Sequence, residues 1–127
     1  MTKVLLVEDN ESLQNLYSRV FQQSQIDFAI ANDGMAIVDR AKVENPEIII
    51  MDVMMPNRNG IEALNDLKQD KSTKDIPVVM LSANEDESLM LESMQLGAKR
   101  YLIKSMLEPE NVIEIIQEVL KDSAQDN

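Results

Sequence analysis

Histidine and cysteine are both absent from this sequence. Without cysteine there is no disulfide framework and no thiolate chemistry, which fits a cytoplasmic setting. Without histidine there is no histidine-based catalytic triad, no histidine metal site and no phosphohistidine carrier role. Long apolar runs are missing as well. The opening MTKVLLVEDN is too short in apolar residues for a signal-peptide core, and no run is long enough to cross a bilayer. Basic residues are scarce: 12 Lys and Arg face 23 Asp and Glu, a net charge of −11. That balance argues against a nucleic-acid surface, which needs a basic patch. It fits a site for cations or a basic partner surface, and most of these charges serve solubility.

What is present describes one ordinary domain. The 127 residues are 44% apolar and 28% charged, enough for one real core. The chain is organised around IIIMDVMMPNRNG, residues 48–60. A short apolar run this rich in isoleucine reads as a fully buried strand. It ends at Asp52, a charge that a buried strand cannot hold, so Asp52 belongs where the strand leaves the core. Pro56 and Gly60 turn the chain, and Asn59 with Glu62 forms a capping box that opens a helix.

Apolar spacing elsewhere predicts strands at 4–7, 27–31, 78–81 and 100–103 and helices at 11–23, 35–44, 61–68, 85–96 and from Pro109 onward. The inner face of the second helix is expected to be Ile37, Val38 and Ala41. Met90 and Met94 are read as ordinary helix packing, with a plastic partner surface as the lesser reading. Gly97 is expected just past a helix end. In the last helix Val112, Ile115, Ile116, Val119 and Leu120 form the inner stripe. Residues 122–127 are read as a polar tail that frays. Strands alternating with helices at this spacing predict a parallel sheet covered on both faces.

Four of the five strands end in polar or charged groups: Glu8-Asp9, Asp52, Ser82 and Lys104. In an open parallel α/β sheet, sites form beyond the carboxyl ends of the strands. Any one of these residues could be a helix cap or a solvated loop residue; their conjunction is what points to a site. Three carboxylates in one pocket raise one another's pKa unless a cation joins them. Oxygen ligands without histidine or cysteine favour a hard ion, Mg²⁺ before Zn²⁺. A carboxylate can act as a nucleophile toward a phosphoryl group. Such a transfer needs positive charge on the phosphoryl oxygens, which Lys104 and a metal would supply.

With these residues in order, the chain resembles the receiver domain of two-component response regulators. The matching features are Glu8-Asp9, Asp52 through Met55-Pro56 to Gly60, Ser82-Ala83, Gly97-Ala98 and Lys104. The resemblance runs from Lys3 to about Leu120, so the receiver domain is placed at 1–121 and the tail at 122–127. It implies a flavodoxin-like, doubly wound five-stranded sheet, order 2-1-3-4-5, with five helices. It implies that Asp52 accepts a phosphoryl group from a sensor histidine kinase or a phosphotransfer protein. Mg²⁺ would be held with Glu8, Asp9, Asp52 and the Met54 carbonyl. Ser82, Ala83 and Lys104 would contact the phosphoryl group, with Ser82 and Tyr101 as the switch pair.

The expected molecule is a single-domain, cytoplasmic phosphoacceptor, monomeric or weakly dimeric, acting on a downstream target protein. Neither nucleic acid nor membrane is expected as a partner. It is not expected to be a classical enzyme, although it would catalyse its own Mg²⁺-dependent phosphorylation and dephosphorylation. The sequence departs from the family at Ser105, where proline usually follows the lysine through a cis bond. A cis non-proline bond costs roughly 2.5–4 kcal/mol, so either that strain is held or the bond is trans. Two alternatives stand beside this reading. One is a phosphorylation-independent scaffold. The other is a phosphatase of the haloacid-dehalogenase kind, which carries a second Asp two residues after its nucleophile, where this chain has Met54.

Overall fold

The computed structural model describes residues 3–83 and 85–125. Five strands, β1 (Lys3–Val7), β2 (Asp27–Ala31), β3 (Ile48–Asp52), β4 (Val78–Ser82) and β5 (Arg100–Ile103), alternate with five helices. These are α1 (Glu11–Gln23), α2 (Ile37–Glu44), α3 (Gly60–Gln69), α4 (Glu87–Gln95) and α5 (Pro109–Gln125), with a short 3-10 turn at Lys104–Met106. The sheet is parallel throughout, in the order β2-β1-β3-β4-β5.

That order and the handedness of the connections decide which face each helix covers. Parallel crossovers are right-handed, so a connection that steps one way along the sheet puts its helix on one face, and a step the other way puts it on the opposite face. Only β1 to β2 steps outward in the reverse direction, and α1 lies apart from α2, α3 and α4. The strands feed both faces by alternation. Leu5, Val7, Ile49, Met51, Val78 and Met80 pack with Ile37, Ala41, Leu64 and Leu67 from α2 and α3. Val4, Leu6, Ile48, Ile50, Val79 and Leu81 pack with Tyr17 and Phe21 from α1 and Val112, Ile116 and Val119 from α5. Because β1, β3 and β4 are buried on both faces, they read as continuous apolar runs, whereas β2 at the edge is half-exposed.

The local signals also operate as read. Asn59 accepts the Glu62 N–H and Glu62 returns the bond to the Asn59 N–H, completing the capping box of α3. Gly97, at φ 104°, closes α4, with Gly97 N–H bonded to Met94 O and Ala98 N–H to Ser93 O.

Four expectations are corrected. α2 begins at Ile37, not Met35, because Ala36 sits in the left-handed region at φ 54°, which a right-handed helix cannot include. α4 begins at Glu87, not Glu85, because the Asp86 side chain accepts the Ser88 and Leu89 N–H groups and caps the helix there. Met90 and Met94 are not packed inside: both are exposed, together with Leu91. The segment read as a fraying tail continues α5 as far as Gln125, and Asp122 pairs with Arg100 at 3.2 Å. Residues 126–127 lie outside the described part.

Candidate functional site

The order in which the strands are connected reverses between β1 and β3, and in open parallel sheets sites form beyond the strand ends at such a point. Val7 pairs with Met51, so the next residues along, Glu8 and Asp52, come side by side. Asp52 pairs with Leu81, one residue before Ser82, and Ser82 pairs with Ile103, one residue before Lys104. Parallel register alone thus delivers Glu8, Asp52, Ser82 and Lys104 to one rim.

The side chains meet there. Lys104 Nζ lies 2.8 Å from Glu8 Oε1 and 3.2 Å from Asp52 Oδ2. Glu8, Asp9 and Asp52 each offer a carboxylate oxygen within 4.8 Å of the others. Glu8 is 1% exposed and Asp52 5%, while Asp9 is open to solvent. Two nearly buried carboxylates at this spacing are unfavourable unless positive charge accompanies them. Burial, first, and the hydrogen bond and charge of Asp52 push the Glu8 carboxyl up to about 7, against the pull of Lys104. Burial disfavours the Lys104 ammonium, but the Glu8 hydrogen bond and the Asp52 charge outweigh it and raise its pKa. One ammonium is therefore shared between two carboxylates, with a third at the mouth.

The remaining expected residues are placed as follows. Ser82 is fully buried at the end of β4, and Ala83 is exposed next to it. Met54 follows in the loop, with its side chain exposed and its N–H directed to Asp52 Oδ1 at 3.3 Å. A thioether cannot act as an acid or base, so the second carboxylate of a haloacid-dehalogenase site has no counterpart two residues after Asp52. Tyr101 stands apart from the acidic cluster. It packs on the α3 and α4 side of the sheet, and its hydroxyl is buried with no hydrogen-bond partner among the described residues. No cis peptide occurs among the described residues, so Lys104-Ser105 is trans. The lysine reaches both carboxylates with a trans bond.

Several contacts around the site gave no signal in the sequence. Gln14 Nε2 donates to Glu8 O at 2.6 Å and to Asn32 Oδ1 at 2.8 Å. Tyr17 on α1 lies within reach of both charges: burial pushes its phenol up, with Lys104 opposing and Glu8 adding. Gly60 lets α3 approach β3, since a Cβ there would stand 2.2 Å from Asp52 O. The loop after β2, whose strand brings no polar end to the site, touches α1 on one side and the loop after β3 on the other. A residue's long-range partner leaves no trace in local spacing, which is why these were not legible.

This geometry coincides with a known family. The response regulator receiver domain model matches residues 4–117. The chain is a member of the response regulator receiver family. Among curated relatives, it is 33% identical over 121 residues to the alkaline phosphatase synthesis transcriptional regulatory protein PhoP of Bacillus subtilis, covering 95% of this chain and 49% of that protein. It is 34% identical over 115 residues to the transcriptional regulatory protein CpxR of Escherichia coli K12, covering 91% and 48%. The chain thus spans about half the length of the curated relatives it matches. The chemotaxis protein CheY4 of Vibrio cholerae superposes with a TM-score of 0.86 at 28% identity, covering 94% of this receiver and 98% of that chain. The receiver domain of the Francisella response regulator 1452 gives 0.86 at 26% identity, covering 97% and 99%.

Receiver domains are phosphoacceptor signalling modules with an acidic Mg²⁺ pocket, and the donor set here fits that ion. It consists of carboxylates without nitrogen or sulfur ligands, beside a loop that can offer backbone carbonyl oxygen. No helix among the described residues is long and apolar enough to cross a membrane.

Proposed function

We propose that Asp52 is the phosphoacceptor of this receiver and that a histidine kinase or phosphotransfer protein is its donor. The observation that carries this is the buried Asp52 carboxylate, 3.2 Å from the Lys104 ammonium and within 4.8 Å of two further carboxylates. An Asp52 oxygen attacks phosphorus. The bond from phosphorus to the donor's leaving atom breaks, and that atom keeps the electron pair and takes up a proton. Mg²⁺ bound by Asp9, Asp52 and the Met54 carbonyl, with Glu8 supporting, would spread positive charge over the phosphoryl oxygens.

Lys104 is held beside the acceptor oxygen by Glu8, so its charge is in place before the phosphoryl group arrives. Ser82, at the adjoining strand end, donates its hydroxyl hydrogen to a phosphoryl oxygen, and the Ala83 N–H contacts the same group. Asp52 phosphate carries more charge and more acceptor oxygens than the carboxylate it replaces. Ser82 and Lys104 prefer that form, which biases the surface carrying α4, Tyr101 and α5. The buried, unpartnered Tyr101 hydroxyl supports a switch role. A buried hydroxyl without a partner costs about 1–3 kcal/mol, which favours a second position in which it finds one.

The test is phosphoryl incorporation from acetyl phosphate with Mg²⁺, comparing the chain with Asp52→Ala. One phosphoryl group is expected per chain, lost on chelation and absent from the variant. Equal incorporation into Asp52→Ala would move the acceptor elsewhere. No incorporation into either would favour a phosphorylation-independent scaffold.

A further inference from the structure

The loop joining β2 to α2 supplies no carboxylate, hydroxyl or ammonium to the acidic cluster. It is nevertheless tied to the segments that follow β1 and β3. On one side Asn32 accepts from Gln14, which also holds the Glu8 carbonyl. On the other side Asp33 is a two-pronged acceptor. Its Oδ1 takes the Met35 N–H at 2.9 Å, fixing the carboxylate, and its Oδ2 takes Asn57 Nδ2 at 2.9 Å. Asn57 lies in the loop that follows Asp52 and adopts φ 67°, a left-handed conformation that asparagine tolerates better than most residues.

Next to this bond the two backbones touch. Gly34 is buried, and a Cβ there would stand 2.4 Å from Arg58 O. Arg58 is in turn pinned to α3, its guanidinium donating through Nε and Nη2 to the two Asp66 oxygens. The loop after Asp52 is therefore anchored to α3 at its far end and to β2–α2 in its middle. Without the Asp33 contact, Met54 to Asn57 would keep the Asp52–Met54 bond at 3.3 Å, the Arg58-to-Pro56 turn and the packing of half-buried Met55 on the core as restraints, none of which holds Asn57 itself.

We propose that Asp33 and Asn57 form a latch that positions the loop carrying Met54 for Mg²⁺, so that the β2–α2 loop sets metal affinity without touching the ion. The latch rests on the proposed reading of the acidic cluster as a Mg²⁺ site. Asp33 is a positioning residue here. It acts through Asn57, and a hydrogen bond of this kind changes affinity by about three- to tenfold.

The experiment is Mg²⁺ titration by calorimetry of the unphosphorylated chain, alongside urea unfolding. The variants are Asp33→Ala, Asn57→Gly, the two combined, and the exchange Asp33→Asn with Asn57→Asp. Asn57→Gly removes the donor, accepts the left-handed backbone and leaves the charge unchanged. It is expected to weaken Mg²⁺ binding about three- to tenfold. Asp33→Ala should do at least as much, and the pair should be less than additive. The exchange keeps net charge and reverses donor and acceptor, and should restore affinity to within about twofold. Unchanged affinity in Asn57→Gly overturns the latch, as does a cooperatively folded exchange variant that stays weak. If the wild type itself binds no Mg²⁺, the reading of the cluster falls and takes the latch with it.

Discussion

Replacing Gly60 by alanine adds one methyl group where α3 meets the carboxyl end of β3. Helix propensity by itself predicts a gain, because alanine is better than glycine in a helix by about 0.5–1 kcal/mol. The structure predicts the opposite sign. The new Cβ would stand 2.2 Å from Asp52 O, 2.9 Å from Val53 Cα and 3.0 Å from Asp52 C. Non-bonded carbon contacts settle at about 3.5–4.0 Å, so backbone must retreat from backbone by roughly 1 Å. Overpacking of this kind costs about 1–3 kcal/mol. The retreat also stretches the Gly60 N–H bond to Val53 O, now 2.8 Å, for a further loss of about 0.5–1.5 kcal/mol. Against the propensity gain, the net is a destabilisation of about 1–3 kcal/mol. With a urea m-value of about 1–3 kcal/mol/M, the midpoint should fall by about 1 M. Phosphoryl incorporation from acetyl phosphate should fall in the same variant, because the displaced atoms belong to Asp52 and its neighbour. A midpoint equal to or above that of the wild type would refute the close-approach argument.

Two further outcomes follow from the same structure. α1 and α4 end in the same hydrogen-bonded motif, Gln25 N–H to Gln22 O with Ile26 N–H to Phe21 O matching the Gly97 and Ala98 pair. Gln25, however, holds the left-handed position at φ 58° without being glycine. Gln25→Gly should raise stability by about 0.5 kcal/mol, relief of strain less the added unfolded-state freedom. Gly97→Ala should lower it by about 1 kcal/mol, and thermal melts in which both shifts have the wrong sign would dismiss the motif. The second outcome concerns pH in the presence of a chelator. Glu8 rises from an ordinary 4.5 to about 7 in the folded chain, so between those values the folded form keeps a proton that the unfolded form has released. Its contribution is present below about 4.5 and lost as pH rises through about 7, on the order of 3 kcal/mol at most. Urea midpoints of wild type and Glu8→Gln should diverge across that window, with the wild type losing more, and parallel profiles would remove Glu8 as the source.

Much of this receiver was legible in one dimension. The ranges of α1, β2 and β5 and the start of α5 follow from periodicity and punctuation, and the uninterrupted runs of β1, β3 and β4 announced strands buried on both faces. Asp52 was conspicuous because a charge ends the most apolar run in the chain. Local signals failed where a neighbour decided. Apolar spacing includes Met35 in α2, but the backbone of Ala36 is left-handed. Composition makes Met90 and Met94 look like core, yet the α4 face that carries them turns outward. The polar residues after Lys121 look like a tail, yet Asp122 finds Arg100 on β5.

Sequence alone determined the alternation of strands and helices, the carboxylate at the end of β3 and the hard-ion character of its surroundings, because these depend on residue type and local spacing. Tertiary structure decided which of the polar strand ends meet. Glu8 and Lys104 lie 96 residues apart and come within 2.8 Å, because parallel register carries each strand end to the same rim and helices on both faces hold that register. It also decided the Asp33–Asn57 contact and the approach of Gly60 to Asp52, which come from two loops and a helix being packed against one another. No local pattern encodes such distances, since they are set by how the whole sheet twists and how closely its helices sit.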